Sequence, residues 1–384
     1  MDDILFQVTK DQLETGMRGY PVGYCITSFV DPIKGLFYRG RPISELYKWE
    51  AERVVYLLNN GKEGSLSDIS SFSDELKKRA HCSSAVIKHI ESLPRQSHPM
   101  KLFSSALLIL GMLEGQGDYK EDCMNLIAKL PHLVATVINY HAGWGETPAP
   151  DESLGYMENF AKMLKVPNAD EKRLAEVFRL FNILHYDHGG GNLSCFVGKS
   201  IASGLEDMYG AICGAMCALA GPRHGKANQD CLVFVQSVLD EVGENATASD
   251  VEGLIRKRLE SKQLIFGFGH AVLRAEDARA TIFYDYAKEH FPDHPLVKIA
   301  MLLRTEGPKV LKENPKISNP YPNVDAMSGT LLTAAGFSYP EYFTVLFGLS
   351  RSVGIAIQTV YERLDAREGK GTPIVRPRYL YKGP

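Results

Sequence analysis

Two histidines and an aspartate in Gly- or Pro-rich turns are the residues of this chain best suited to proton chemistry. His224 lies in GPRHGKANQD (221–230), His270 in GFGHAVLRAEDAR (267–279) and Asp325 in YPNVDAMSG (321–329). Each turn adjoins a helical pattern, and loops held on a rigid scaffold are where reactive groups tend to sit. A carboxylate and two imidazoles on separate loops form an acid–base set. Arg274, Arg279 and Arg351 belong to the same or neighbouring segments. The planar guanidinium pairs bidentately with carboxylates. Together these groups suggest enol chemistry on a polycarboxylate. A plainer reading stands beside it. A histidine taken alone is more often a hydrogen-bonded structural residue, and Arg18 and Arg376 taken alone read as solvated surface charges.

A fourth segment, DHGGGN (187–192), places three glycines after His188. HGGG occurs in the oxyanion holes of esterases, but those enzymes also need a G-x-S-x-G elbow. The nearest match, GLSRS from Gly348, lacks the last glycine. Gly198-Lys199-Ser200 has the ending of a phosphate-binding loop, yet Leu193 stands where its first glycine is required. GFGHAV has Val272 in place of the third glycine of a dinucleotide fingerprint. His185, Asp187 and His188 lack a metal-ligand spacing, because the aspartate shares no helical face with both histidines. The expectation is a site without a metal.

At these segments the sequence resembles the citrate synthase family, in its short, dimeric form. The resemblance runs from GMRGYPVGYCITSFVDPIKGLFYRG through SHPMKLFSSAL, EDCMNLIAKLP and DHGGGN to LFGLSRSVG and VRPR. It implies a mainly α homodimer that condenses acetyl-CoA with oxaloacetate and hydrolyses the citryl thioester, with no cofactor besides the CoA substrate. It also implies the roles. Asp325 is the base, His224 stabilises the enol, and His270 polarises the oxaloacetate carbonyl. His188, Arg279, Arg351 and Arg376 bind oxaloacetate, with Arg376 reaching over from the partner subunit. Arg18 and Arg274 bind the CoA phosphates. The chain departs from the family pattern at Gly189, Phe266, Ala278 and Met327, none of them a catalytic position. Two other readings are weighed. A 2-methylcitrate synthase would take propionyl-CoA with the same machinery. A non-catalytic sensor of CoA or carboxylate would have no use for Asp325.

The elements that must position these groups read as mainly helical. YCITSFV and LFYRG flank the turn-forming Asp31-Pro32-Ile33-Lys34-Gly35, which predicts a short N-terminal hairpin. Leu174, Val177, Phe178, Phe181 and Leu184 recur at helical spacing. Ser249 with Glu252 reads as a capping box. Phe343–Leu364 reads as one long buried helix. The family resemblance implies the division, a large domain of 1–224 and 330–384 and a small domain of 225–329.

Composition sets the outer limits. In 384 residues, 45% apolar and 23% charged, the chain has the profile of a globular protein with a sizeable core. A net charge of −3 gives no field that favours nucleic acid or anionic membrane. No stretch reads as long and apolar enough to span a bilayer. Seven scattered cysteines, without a CxxC, read as reduced thiols. The acidic N-terminus lacks the features of a signal or transit peptide, so the expected location is cytoplasmic.

Overall fold

A computed structural model describes Ile4 and residues 6–383. Among the described residues sixteen α-helices run from Ile43–Leu46 to Phe343–Val360. The only sheet among them has three short antiparallel strands in the order β1 (Ser28–Asp31), β2 (Gly35–Tyr38) and β3 (Arg41–Pro42). The predicted hairpin is there, with Ser28 opposite Tyr38 and Asp31 opposite Gly35. Its turn is held by Asp31 Oδ1, which accepts from Ile33 N at 2.9 Å and Lys34 N at 2.7 Å. Gly35 closes it at φ 86°, a conformation that costs glycine little.

The helix Phe343–Val360 is buried over nearly its whole length. It packs on Tyr119–Ala142, Glu171–His185, Leu193–Ala202 and Met208–Leu219. Small residues let these neighbours in. A Cβ on Gly348 would lie 2.8 Å from the Phe103 ring and 2.9 Å from Met216 Sδ. The helix's own hydroxyls turn back to the chain, Ser350 Oγ to Leu346 O at 3.0 Å and Ser352 Oγ to Gly348 O at 2.7 Å, so no bare donor faces the core. Pro340–Asp365 is in fact long and apolar enough to cross a bilayer, contrary to the sequence expectation, but it is almost entirely buried inside the protein.

The predicted stripe from Leu174 to Leu184 is the buried face of Glu171–His185. The capping box, in contrast, falls two residues earlier than expected. Thr247 N and Oγ1 both donate to Asp250 Oδ2, at 2.8 and 2.7 Å. That earlier start places Ala246 just before the cap and Val251 four residues after it, the two positions of a hydrophobic staple. The helices Ala227–Val242, Ala248–Glu260, Pro295–Leu311 and Asp325–Ala334 pack chiefly on one another, and Ala278–His290 joins them while also touching the hairpin.

Candidate active site

His188 follows the end of Glu171–His185. The chain there lies directly on the central helix, since a Cβ on Gly354 would meet Tyr186 O at 2.3 Å. Gly354 N donates to that carbonyl at 3.1 Å. The following loop turns at Gly189, φ 74°, and its N–H donates to Ser28 Oγ on β1 at 2.7 Å. Asn192 ends the loop and caps Leu193–Ala202 by accepting from Cys195 N at 3.1 Å. The Nε2 of His188 is buried without a hydrogen-bond partner among the described residues. A buried polar atom in that state calls for a ligand or water. Burial first, then the charges of Arg279 and Arg351, hold this imidazole well below its ordinary pKa.

Two chain segments far apart in sequence are stitched into one wall of the site. Gly269 N donates to Tyr321 O at 3.1 Å and Asn323 N to Gly267 O at 2.9 Å. Asn323 Nδ2 donates to Gly269 O at 2.9 Å, and its Oδ1 accepts from Asp325 N at 3.0 Å. Gly267 is required here, because a Cβ would lie 2.9 Å from both Ala326 Cα and Cys231 Sγ. Asn323 thereby fixes His270 relative to Asp325. The His270 ring lies 5.4 Å from that of His188.

The backbone also sets the tautomers of two imidazoles. Val272 N and Leu273 N both donate to His270 Nδ1 at 3.0 Å. The His270 ring proton is therefore on Nε2. Ser194 N donates to His224 Nε2 at 3.3 Å, and Ser194 Oγ lies 2.9 Å from the same atom. The His224 proton is therefore on Nδ1, for which no acceptor occurs among the described residues. Burial, and for His270 the charge of Arg279, lowers both pKa values to about 4. At neutral pH both rings are uncharged hydrogen-bond donors.

The charged groups complete the arrangement. Arg279 is buried and gives Nε and Nη2 to Asp277, at 3.0 and 2.7 Å, which leaves Nη1 for a ligand. Arg351 Nε donates to His185 O at 3.0 Å, and its guanidinium lies 4.8 Å from the Phe347 ring centre. Asp325 is half-buried, and its pKa is raised to about 6. Burial is the main cause, with Arg279 and Arg351 opposing it and the Asp277 charge adding to it. A carboxylate so raised is a stronger base than an ordinary aspartate.

The family model for the citrate synthase C-terminal domain matches residues 16–378. The chain belongs to the citrate synthase family. It is 37% identical over 398 aligned positions to the mitochondrial citrate synthase of Citrus maxima, covering 97% of this chain and 83% of that one. It is 37% identical over 383 positions to the mitochondrial citrate synthase 4 of Arabidopsis thaliana, covering 94% and 80%. Among solved structures it is similar to the citrate synthase of Thermotoga maritima MSB8, with TM-score 0.81, 28% identity and coverage of 97% and 96%. It is also similar to the citrate synthase of Thermoplasma acidophilum in ternary complex with carboxymethyl coenzyme A and oxaloacetate, with TM-score 0.83, 25% identity and coverage of 96% of each chain.

In this citrate synthase-family chain the charges of Arg279 and Arg351 act on both His188 and Asp325, and His270 stands beside His188. Arg351 also acts on His224. Three predicted arginines stand apart from this group. Arg18 and Arg376 are exposed, with no hydrogen bond or ion pair among the described residues. Arg274 is exposed too, with Nη1 turned to its own loop carbonyls and closest to Leu273 O at 2.7 Å. Its backbone N reaches Pro32 O at 2.8 Å, tying the hairpin turn to the His270 loop. Sequence reasoning missed Asp277, Ser194 and Phe347. Asp277 was findable as an N-cap before Ala278, and Phe347 as the residue one helical turn before Arg351. Asp187 gives its oxygens to Thr27, His188 N and Gln358, so it does not face the histidines as a ligand.

Proposed function

We propose that this protein condenses acetyl-CoA with oxaloacetate and water to give citrate and CoA, with no cofactor beyond these substrates. The carrying observation is the pair of backbone-fixed imidazole tautomers, with Asp325 tied through Asn323 to the loop that holds His270. In this reading Asp325 takes a proton from the acetyl methyl group while His224 Nδ1–H donates to the thioester oxygen. His270 Nε2–H polarises the oxaloacetate ketone, and the enol carbon attacks it. Water then cleaves the citryl thioester. The hydrogen-bond donors are in place before charge develops, which is what makes such stabilisation effective. His188, Arg279 and Arg351 hold oxaloacetate, and Arg18 and Arg274 hold the CoA phosphates. The names of the relatives favour acetyl-CoA over propionyl-CoA. The test is CoA release followed with a thiol reagent. It is expected to require oxaloacetate and acetyl-CoA and to survive chelation of metals. No oxaloacetate-dependent release from either acyl-CoA would refute the reading.

The proposal extends to a homodimer. Met112 and Leu205 are about three-quarters exposed, and Tyr379 and Tyr381 are 91% exposed, apolar surface that a second subunit would cover. Arg376 then serves the partner's site from a tail fastened by Val375 N to Ser203 Oγ at 2.9 Å. Residues 1–224 and 330–384 form a large domain and 225–329 a small one that closes over the substrates. The two plant relatives above are named as mitochondrial. The cytoplasm stays the proposed location.

Sharing of sites has a distinct signature. Asp325→Ala and Arg376→Ala homodimers are each expected to be impaired. When the two are unfolded, mixed equally and refolded, about half the dimers are hybrids by random pairing, and each hybrid holds one intact site. Activity returns to about a quarter of wild type. A mixture no more active than the mean of its parents, with hybrids seen by native mass spectrometry, would place Arg376 in its own subunit's site.

A further inference from the structure

The Gly198-Lys199-Ser200 segment, which forms no phosphate loop, has an unusual setting. Lys199 sits in the middle of Leu193–Ala202 and is only 9% exposed. A buried ammonium is costly unless paired, and Nζ pairs with Glu362 Oε1 at 2.6 Å. Glu362 lies in the final turn that extends the central helix, Tyr361–Asp365. Nζ also donates to Gln358 Oε1 at 3.3 Å. With its carbonyl oxygen held by a cation, the Gln358 amide must point its NH2 the other way. That NH2 donates to Asp187 Oδ1 at 2.8 Å and approaches Gly189 O at 3.4 Å. Asp187 Oδ1 in turn accepts the His188 backbone N–H at 2.8 Å. The loop leans on the same group, since a Cβ on Gly190 would lie 2.7 Å from Lys199 Nζ.

We propose that Lys199 and Gln358 are positioning residues for the oxaloacetate subsite, acting through Asp187 on the backbone that carries His188. Neither residue touches the reacting atoms. Lys199 orients the Gln358 amide, Gln358 holds the Asp187 carboxylate, and that carboxylate fixes the peptide from which the His188 ring projects. Glu362 keeps Lys199 charged and in place. Its carbonyl accepts Thr372 N at 2.7 Å, so the network also fastens the start of the tail that carries Arg376. The inference rests on the oxaloacetate reading of the site above.

The experiment compares Lys199→Met, Lys199→Arg and Gln358→Leu with wild type by steady-state kinetics in both substrates. Loss of one hydrogen bond to a charged group is expected to raise KM for oxaloacetate by about ten- to a hundredfold. KM for acetyl-CoA is expected to stay unchanged. Lys199→Arg, which keeps the cation, is expected to recover most of the loss. Unchanged oxaloacetate KM in Lys199→Met and Gln358→Leu, with wild-type circular dichroism and melting, overturns the proposal. So does a fall in kcat with both KM values unchanged, or an equal rise in both. Should Lys199→Met fail to fold, Gly190→Ala replaces it. The added methyl crowds Nζ, and oxaloacetate KM is again expected to rise, with no rise counting against the proposal. Wild-type protein that releases no CoA defeats the functional reading instead. Calorimetry then decides between the two: oxaloacetate bound equally by wild type and Gln358→Leu overturns the network, and no binding by wild type defeats both.

Discussion

Replacing Asp325 with Asn is expected to lower kcat by about 10²- to 10⁴-fold, the usual worth of a positioned general base. The amide keeps the size of the carboxylate, and its backbone N–H still reaches Asn323 Oδ1, so the fold around it has no reason to change. Oxaloacetate affinity is expected to survive, because Arg279, Arg351 and His188 remain. The pH dependence gives a second readout with a fixed sign. Asp325 acts when deprotonated, and its pKa stands at about 6. Below that pH, kcat/KM for acetyl-CoA is expected to fall by about tenfold per unit, and above it to level off. His224 and His270, with pKa values of about 4, stay neutral across that limb and do not contribute to it. Were either imidazolium the working acid, activity would rise on acidification instead. In Asp325→Asn the limb is expected to vanish. Stopped assays between pH 5 and 8 and oxaloacetate calorimetry check both points. Lost oxaloacetate binding in the folded variant, or a limb that persists without the carboxylate, would take the base role away from Asp325.

Local chemistry was legible in the sequence wherever neighbours in the chain decide the outcome. The turn at Asp31–Gly35 is fixed by an aspartate that caps its own loop, and the stripe from Leu174 to Leu184 by helical period. The capping box was misplaced by two residues because both Thr247 and Ser249 precede an acid by three. The reciprocal bonds of Thr247 and Asp250 in the folded chain separate them. The membrane-length segment was missed for a related reason. Arg351 and several hydroxyls interrupt its apolar run, although the segment stays apolar on average.

The site was legible as a set of residue types but not as a geometry. His224, His270 and Asp325 stand out as polar residues in glycine-bearing turns. Which nitrogen of each imidazole carries the proton depends on Ser194 N and on the turn at Val272 and Leu273. The alignment of His270 with Asp325 depends on Asn323 bonding 54 positions back along the chain. The raised pKa of Asp325 depends on burial and on Asp277, and neither is a property of the local string. Lys199 shows the converse. Its tripeptide looks like a phosphate motif, but its setting is a buried ion pair with a residue 163 positions away.

His224→Ala is expected to cost about 10²- to 10³-fold in kcat, as loss of one preorganised oxyanion donor does. The argument runs from the tautomer. Ser194 N occupies Nε2, so the donor that faces a thioester oxygen is Nδ1–H. Alanine removes that donor and also leaves the Ser194 N–H without its acceptor. His224→Asn separates the two effects, since the asparagine amide falls close to the position of Nδ1 and cannot extend to Nε2. Asparagine is therefore expected to retain more kcat than alanine, while glutamine, whose amide falls nearer Nε2, is expected to retain less than asparagine. KM for oxaloacetate is expected to stay near wild type in all three, because none of them alters Arg279, Arg351 or His188. Exchange of the acetyl methyl protons of acetyl-CoA with solvent, in the presence of a dead-end analogue of oxaloacetate, isolates the enolisation step. It is expected to fall in parallel with kcat. Exchange at the wild-type rate in His224→Ala would show that the enol forms without His224 and would move its role to a later step.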